Sequence, residues 1–142
     1  MTFGASCSRG RRPGGSGLNM LDDRVPGGPA ESHAEFIVGE ALAAVGIRGL
    51  VRQHRLAVPG VGRFRFDLAV PDLRWAIEVD AFPTHRETAG HRADLRRDAA
   101  VASMGWSTTR LGPRDLGVAL DGTVQHLRAE FHRRRQQALP GA

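Results

Sequence analysis

Two short alternating stretches, joined by a tight turn, constrain this chain more than any other feature. Arg63-Phe64-Arg65-Phe66-Asp67-Leu68-Ala69-Val70 and Arg74-Trp75-Ala76-Ile77-Glu78-Val79-Asp80 flank Pro71-Asp72-Leu73. Alternation of polar and apolar residues is the period of a half-buried strand. Phe64, Phe66, Leu68 and Val70 are expected on one face of the first strand, and Trp75, Ile77 and Val79 on one face of the second. A loop from Pro71 to Arg74 closes these into a hairpin with Val70 opposite Trp75, Leu68 opposite Ile77 and Phe66 opposite Val79. The same register sets Asp67 across from Glu78 and Arg65 across from Asp80. Opposed residues have Cβ atoms roughly 5 Å apart, a separation at which like charges repel. A divalent cation shared by Asp67 and Glu78 is the most economical reason for such a pair.

The surrounding sequence supplies the rest of a small α/β domain. Residues 1–30 are rich in Gly, Pro, Ser and Arg, lack periodicity and read as a disordered, mildly basic arm. Met20 is an alternative start within that arm. Order is expected from Ser32, where Ser32-His33-Ala34-Glu35 has the form of a capping box. Phe36, Ile37, Leu42 and Val45 give the helix its apolar positions, and Gly46 ends it. Val51 to Val58 reads as a strand, and Pro59-Gly60-Val61-Gly62 as a turn into the hairpin. A second helix is expected from about Glu87 to Met104, stopped by Gly105. A strand follows over Ser107 to Leu111, then a last helix from about Val118 to Gln137. The predicted architecture is therefore a single α/β domain over residues 31–138, a mixed sheet of about four strands flanked by helices, with 139–142 as a tail. Trp75 and Trp106 are expected in its core.

Composition narrows the partners. All 20 basic residues are arginine, and the net charge is +5. Arginine binds phosphate bidentately and stacks on bases, which favours a polyanionic partner, DNA above all. GC-rich codon usage is a second reading of the same arginines, compatible with the first. Cys7 is the only cysteine, so neither a disulfide framework nor a cysteine zinc site can form within the chain. That usage fits a cytoplasmic protein. No apolar run reaches the roughly 20 residues needed to span a bilayer.

The order of motifs resembles a known group. Ser-x-x-Glu opens the first helix. Asp-Leu-Ala-Val-Pro follows, then Ala-Ile-Glu-Val-Asp, a histidine, Arg-Ala-Asp-Leu-Arg-Arg-Asp, and Gly-Trp with a later arginine. Together these resemble the very-short-patch-repair (Vsr-like) endonuclease relatives within the PD-(D/E)XK nuclease superfamily, over roughly residues 32–117. The resemblance implies a restriction-endonuclease-like core and a Mg²⁺- or Mn²⁺-dependent endonuclease acting on DNA. It assigns Asp67 and Glu78 as metal ligands, with Asp80 as a third. Glu35 matches an acidic residue of the first helix that reaches the attacking water. His85 matches a histidine after the acidic strand, and Asp94 and Arg97 a charged pair on the second helix. Arg65 is a supporting or DNA-contacting residue beside them. Asp80 stands where many superfamily members carry lysine, and Ala81 where relatives carry glycine.

The implied chemistry is hydrolysis of a phosphodiester, the cation neutralising charge on the phosphoryl oxygens and His85 or Glu35 orienting or deprotonating water. Each residue also has a plainer role open to it. Asp67 can pair with Arg65 or Arg74, Asp80 with Arg65, and Glu35 can serve as a helix cap. His85 can be a solvated loop residue. His91, Asp94 and Asp98 share a helical face beside Arg97, either a wall of the site or a solvated surface. Two other functional classes remain open: a nucleic-acid-binding module without turnover on the same fold, and a defence or toxin component acting on protein or RNA. A stand-alone domain of this size also suggests a protein partner for targeting.

Overall fold

Ser32 begins the first helix as its neighbours dictate: its Oγ accepts the Glu35 N–H at 3.1 Å. The computed structural model describes residues 24–81 and 88–139. In chain order the elements are α1 (His33–Ala44), β1 (Val51–Val58), β2 (Gly62–Val70), β3 (Trp75–Val79), α2 (Thr88–Ser103), β4 (Ser107–Leu111) and α3 (Leu120–Ala138). The four strands form one mixed sheet in the order β1-β2-β3-β4, with three helices packed on it. β1, β2 and β3 pair antiparallel, and β4 joins β3 in parallel after the α2 crossover.

The β2–β3 turn sets the register that the alternation predicted. Pro71–Leu73 forms a 3-10 turn and Arg74 takes a left-handed conformation with φ 50°. Val70 then faces Trp75 and Leu68 faces Ile77. The pairing stops there and does not reach Phe66 and Val79.

Helices cover both faces. On one side α1 and α3 bury Val38, Leu42, Val124, Leu127 and Phe131 against Leu68, Val70, Trp75 and Ile77. Burying each such side chain contributes about 1.5–3 kcal/mol. On the other side α2 brings Val101 onto Ala69, Ala76, Phe66 and Trp106. Both tryptophans are core residues as expected, Trp75 fully buried with its Nε1–H donating to Thr109 Oγ1 at 2.9 Å.

Two expectations need correction. Order begins before Ser32: Val25 is in the core, the Arg52 N–H donates to the Pro26 carbonyl at 2.7 Å, and Gly27 bridges Arg52. A Cβ at Gly27 would lie 2.2 Å from the Arg52 carbonyl oxygen, so a glycine is what lets the segment dock. Second, the apolar residues of β2 do not share one face. Phe64 and Phe66 pack on the α2 side, whereas Leu68 and Val70 pack on the side of α1 and α3. The alternation slips by one residue at Asp67. Opposite that point, between the pairs Arg52–Leu68 and His54–Phe66, Gln53 carries a φ of 53°.

Candidate functional site

The slip in β2 and the parting of β2 from β3 fall at the same residue, Asp67. Beyond Leu68 and Ile77 the strands no longer exchange backbone hydrogen bonds, and two carboxylates fill the gap. The Asp67 N–H donates to Glu78 Oε2 at 2.9 Å, and the Val79 N–H donates to Asp67 Oδ2 at 2.8 Å. Backbone donors that would otherwise be orphaned are thus satisfied by the very side chains the sequence singled out.

Arg97 on α2 locks the pair from the side. Its Nη1 lies 3.2 Å from Glu78 Oε1, and its Nη2 donates to the Arg65 carbonyl at 2.9 Å. The guanidinium also sits over Phe66, 5.3 Å from the ring centre. Arg97 therefore ties α2, β2 and β3 together beside the two carboxylates.

Glu35 approaches from α1. It is 7% exposed, and its Oε1 accepts the Glu31 N–H at 3.0 Å and the Gln53 Nε2–H at 3.1 Å. Its carboxylate does not reach back to Ser32, so the capping box closes in one direction only. Arg52, 1% exposed, holds that end of α1 in place: Nη1 donates to the Glu35 carbonyl at 2.9 Å and Nη2 to the Phe36 carbonyl at 3.2 Å.

Burial places these acids under electrostatic load. Desolvation pushes the Asp67 carboxyl above its ordinary range, and nearby Glu31 adds to the rise. Desolvation raises Glu78 as well, with the Asp67 charge reinforcing it against the opposing pull of Arg97. Glu35 is raised by burial first and by Asp67 and Glu31 after it. All three acids are therefore harder to ionise here than in water.

Gln53 is a strained polar residue close by, one not anticipated from sequence. It sits opposite Asp67, its Nε2 is spent on Glu35, and its Oε1 is buried with no donor. A glutamine held at positive φ costs of order 1–3 kcal/mol, and such strain gathers at functional sites. The only hint in the sequence is a polar residue interrupting a strand.

The other expected residues have different surroundings. Asp80 does not join Asp67 and Glu78 in a three-acid seat. Among the described residues, no three His, Cys, Asp or Glu side chains come together to cage a metal ion. Asp80 instead lines, with Glu35, a cleft of about 710 Å³ whose apolar wall includes Ile37, Val38 and Leu120. Its backbone N–H follows the next strand, donating to the Leu111 carbonyl at 2.8 Å. Arg65 pairs with Glu31 at 2.9 Å, because β2 has left β3 before the predicted Arg65–Asp80 rung. Asp94 belongs to α2, one turn before Arg97, and Asp98 forms an ion pair with Arg110 of β4. His85 and the side chain of His91 lie outside the described residues.

No helix among the described residues is long and apolar enough to cross a membrane. Compared with protein-family models, curated proteins and solved structures, the chain matches none of them.

Proposed function

We propose that this chain is a Mg²⁺-dependent DNA endonuclease of the Vsr-like, PD-(D/E)XK type, hydrolysing phosphodiester bonds at the Asp67–Glu78 pair. The observation that carries the reading is that pair itself: two carboxylates, each anchored by the other strand's backbone N–H, and both raised in pKa. A hard divalent cation fits this donor chemistry. Mg²⁺ takes one or two carboxylates together with water and substrate phosphate, so it does not need a protein cage of three acids. Asp67 and Glu78 would hold it, and Gln53 on the neighbouring strand carries a buried Oε1 with no donor. When bound, the ion supplies neutralisation of the charge that builds on the phosphoryl group.

The chain's own residues then have separable tasks. Asp67 and Glu78 fix position, since their second contacts to backbone leave little rotational freedom. Arg97 keeps Glu78 aimed and prevents it from swinging into solvent. Glu35, with Oε1 committed to two donors and its pKa raised, has Oε2 available to accept a proton from an attacking water. Asp80 marks the wall of the adjoining cleft.

The reading is tested by incubating supercoiled plasmid with the purified chain in Mg²⁺, in Mn²⁺ and in chelator. Nicked or linear product is expected with either metal, none in chelator, and a loss of at least about 100-fold in Asp67→Ala and Glu78→Ala. Salt-sensitive DNA binding without any cleavage would favour the binding module on the same fold. Cleavage surviving both substitutions would overturn the assignment.

A further inference from the structure

Beyond the Gln53–Asp67 rung, β1 and β2 continue as a two-stranded arm that ends at Val58 and Gly62. Arg55 pairs with Arg65 along it, and Ala57 with Arg63. Residues two apart on a strand share a face, and so do residues paired across strands. Arg55, Arg63 and Arg65 therefore stand on one face, and all three are exposed. They line an open groove of about 380 Å³ together with Phe64. The partner residues Leu56 and Phe64 pack toward Trp106 and Val101, which fixes the arm against the body of the domain.

Opposed like charges weaken a strand pair, so this arrangement calls for an anion. Glu31 supplies one to Arg65, in a pair whose side chains are 48% and 49% exposed. An ion pair that open contributes about 0–1 kcal/mol and is readily exchanged for another anion. Among the described residues, Arg55 and Arg63 are paired with no carboxylate.

We infer that this arm grips the sugar–phosphate backbone of duplex DNA alongside the Asp67–Glu78 pair, an inference that rests on the nuclease reading above. Spacing supports it. At about 3.3 Å per residue, Arg65 and Arg63 lie roughly 7 and 13 Å from Asp67 along β2. Neighbouring phosphates of one DNA strand are further apart than the axial rise of about 3.4 Å per nucleotide, because the strand also winds round the axis, so these positions fall within reach of the phosphates next to the one at Asp67. The guanidinium fork suits bidentate phosphate binding, and the contact carries no sequence information of its own.

The test measures binding of the full chain to a short DNA duplex in chelator, by fluorescence anisotropy across a salt series. Arg55→Ala/Arg63→Ala is compared with Arg114→Ala/Arg128→Ala, a pair of exposed arginines outside the arm that removes the same charge. Each lost phosphate contact lowers the slope of log K against log salt by about 0.9. The arm variant should show a slope shallower by about 1.8, with affinity down about tenfold or more at low salt, while the control keeps the wild-type slope. Equal losses in both variants would reduce the effect to net charge and overturn the inference. An unchanged arm variant that still cleaves in Mg²⁺ would overturn it while leaving the nuclease reading intact. An arm-dependent slope without cleavage would uphold the grip and sink the nuclease, and absence of DNA binding by the wild-type chain would sink both.

Discussion

The Asp67 backbone N–H donates to Glu78 Oε2 at 2.9 Å, across the point where β2 and β3 stop pairing. Asp67 in turn accepts the Val79 N–H at 2.8 Å. Neither carboxylate can leave without stranding a part-buried backbone donor, at a cost of about 1–3 kcal/mol. The two acids are thus held side by side by the sheet itself, against their mutual repulsion. On the proposed nuclease reading this is preorganisation for a cation, with its cost falling on the metal-free protein.

Asp67→Asn should expose that cost. The amide oxygen can still accept the Val79 N–H, while the desolvated charge is gone. In chelator at pH 7.5 the variant is expected to melt about 4 °C above wild type, as a gain of about 1 kcal/mol gives in a domain of this size. Added Mg²⁺ should raise the melting temperature of the wild type and leave the variant unmoved. Scanning calorimetry reads both, and a variant that melts lower in chelator would show that the carboxylate charge is no liability.

The pH dependence follows from the same groups. Glu35, Asp67 and Glu78 titrate above their ordinary values of 4.5, 3.8 and 4.5, so the folded chain holds these protons more tightly than the unfolded one. Their contribution to stability is complete below those ordinary values and is lost as pH rises through the raised ones. His54, lowered from 6.5 by burial, runs the other way: its contribution is present above 6.5 and lost as pH falls. Because cation binding needs the acids ionised, the Mg²⁺-induced rise in melting temperature should be smaller at pH 5 than at pH 7.5. Equal rises at both values would place the ion elsewhere.

Much of this arrangement is legible before folding, for local reasons. The length of Pro71-Asp72-Leu73 and the alternation on either side determine the register as far as Leu68 and Ile77, and the next residues, Asp67 and Glu78, meet through the Asp67 N–H. Ser32, Gly46 and Gly105 mark helix ends through caps and positive φ, which are properties of the residues themselves. The slip at Asp67 is not legible, because nothing local marks Gln53 for a left-handed backbone. Strict alternation would place Phe66 with Leu68, and only the packing of Phe66 on Trp106 shows otherwise. The Arg65–Glu31 pair and the docking of Val25 join segments far apart in sequence, so pattern alone does not reach them. Asp80 departs from the expected seat because the strand pairing ends at Leu68 and Ile77, three rungs before the Arg65–Asp80 pair that alternation implies.

Gly39 tests how tightly the scaffold is built. A Cβ there would sit 2.4 Å from Arg52 Nη2 and 2.7 Å from its Cζ. Alanine normally stabilises a helix interior by about 0.5–1 kcal/mol over glycine. Here Arg52 is buried and tied to two helix carbonyls, so Gly39→Ala is expected to cost about 1–3 kcal/mol instead. Chemical denaturation measures the sign directly, and a stabilised variant would mean that Arg52 moves aside freely.

The most direct test of the central claim is titration of Mn²⁺ into the protein at pH 7.5, followed by the electron paramagnetic resonance signal of the free ion. Wild type is expected to remove that signal at a saturable site, and Asp67→Asn/Glu78→Gln to show no saturable loss. Identical titrations for the two proteins, or no binding by wild type, would contradict it.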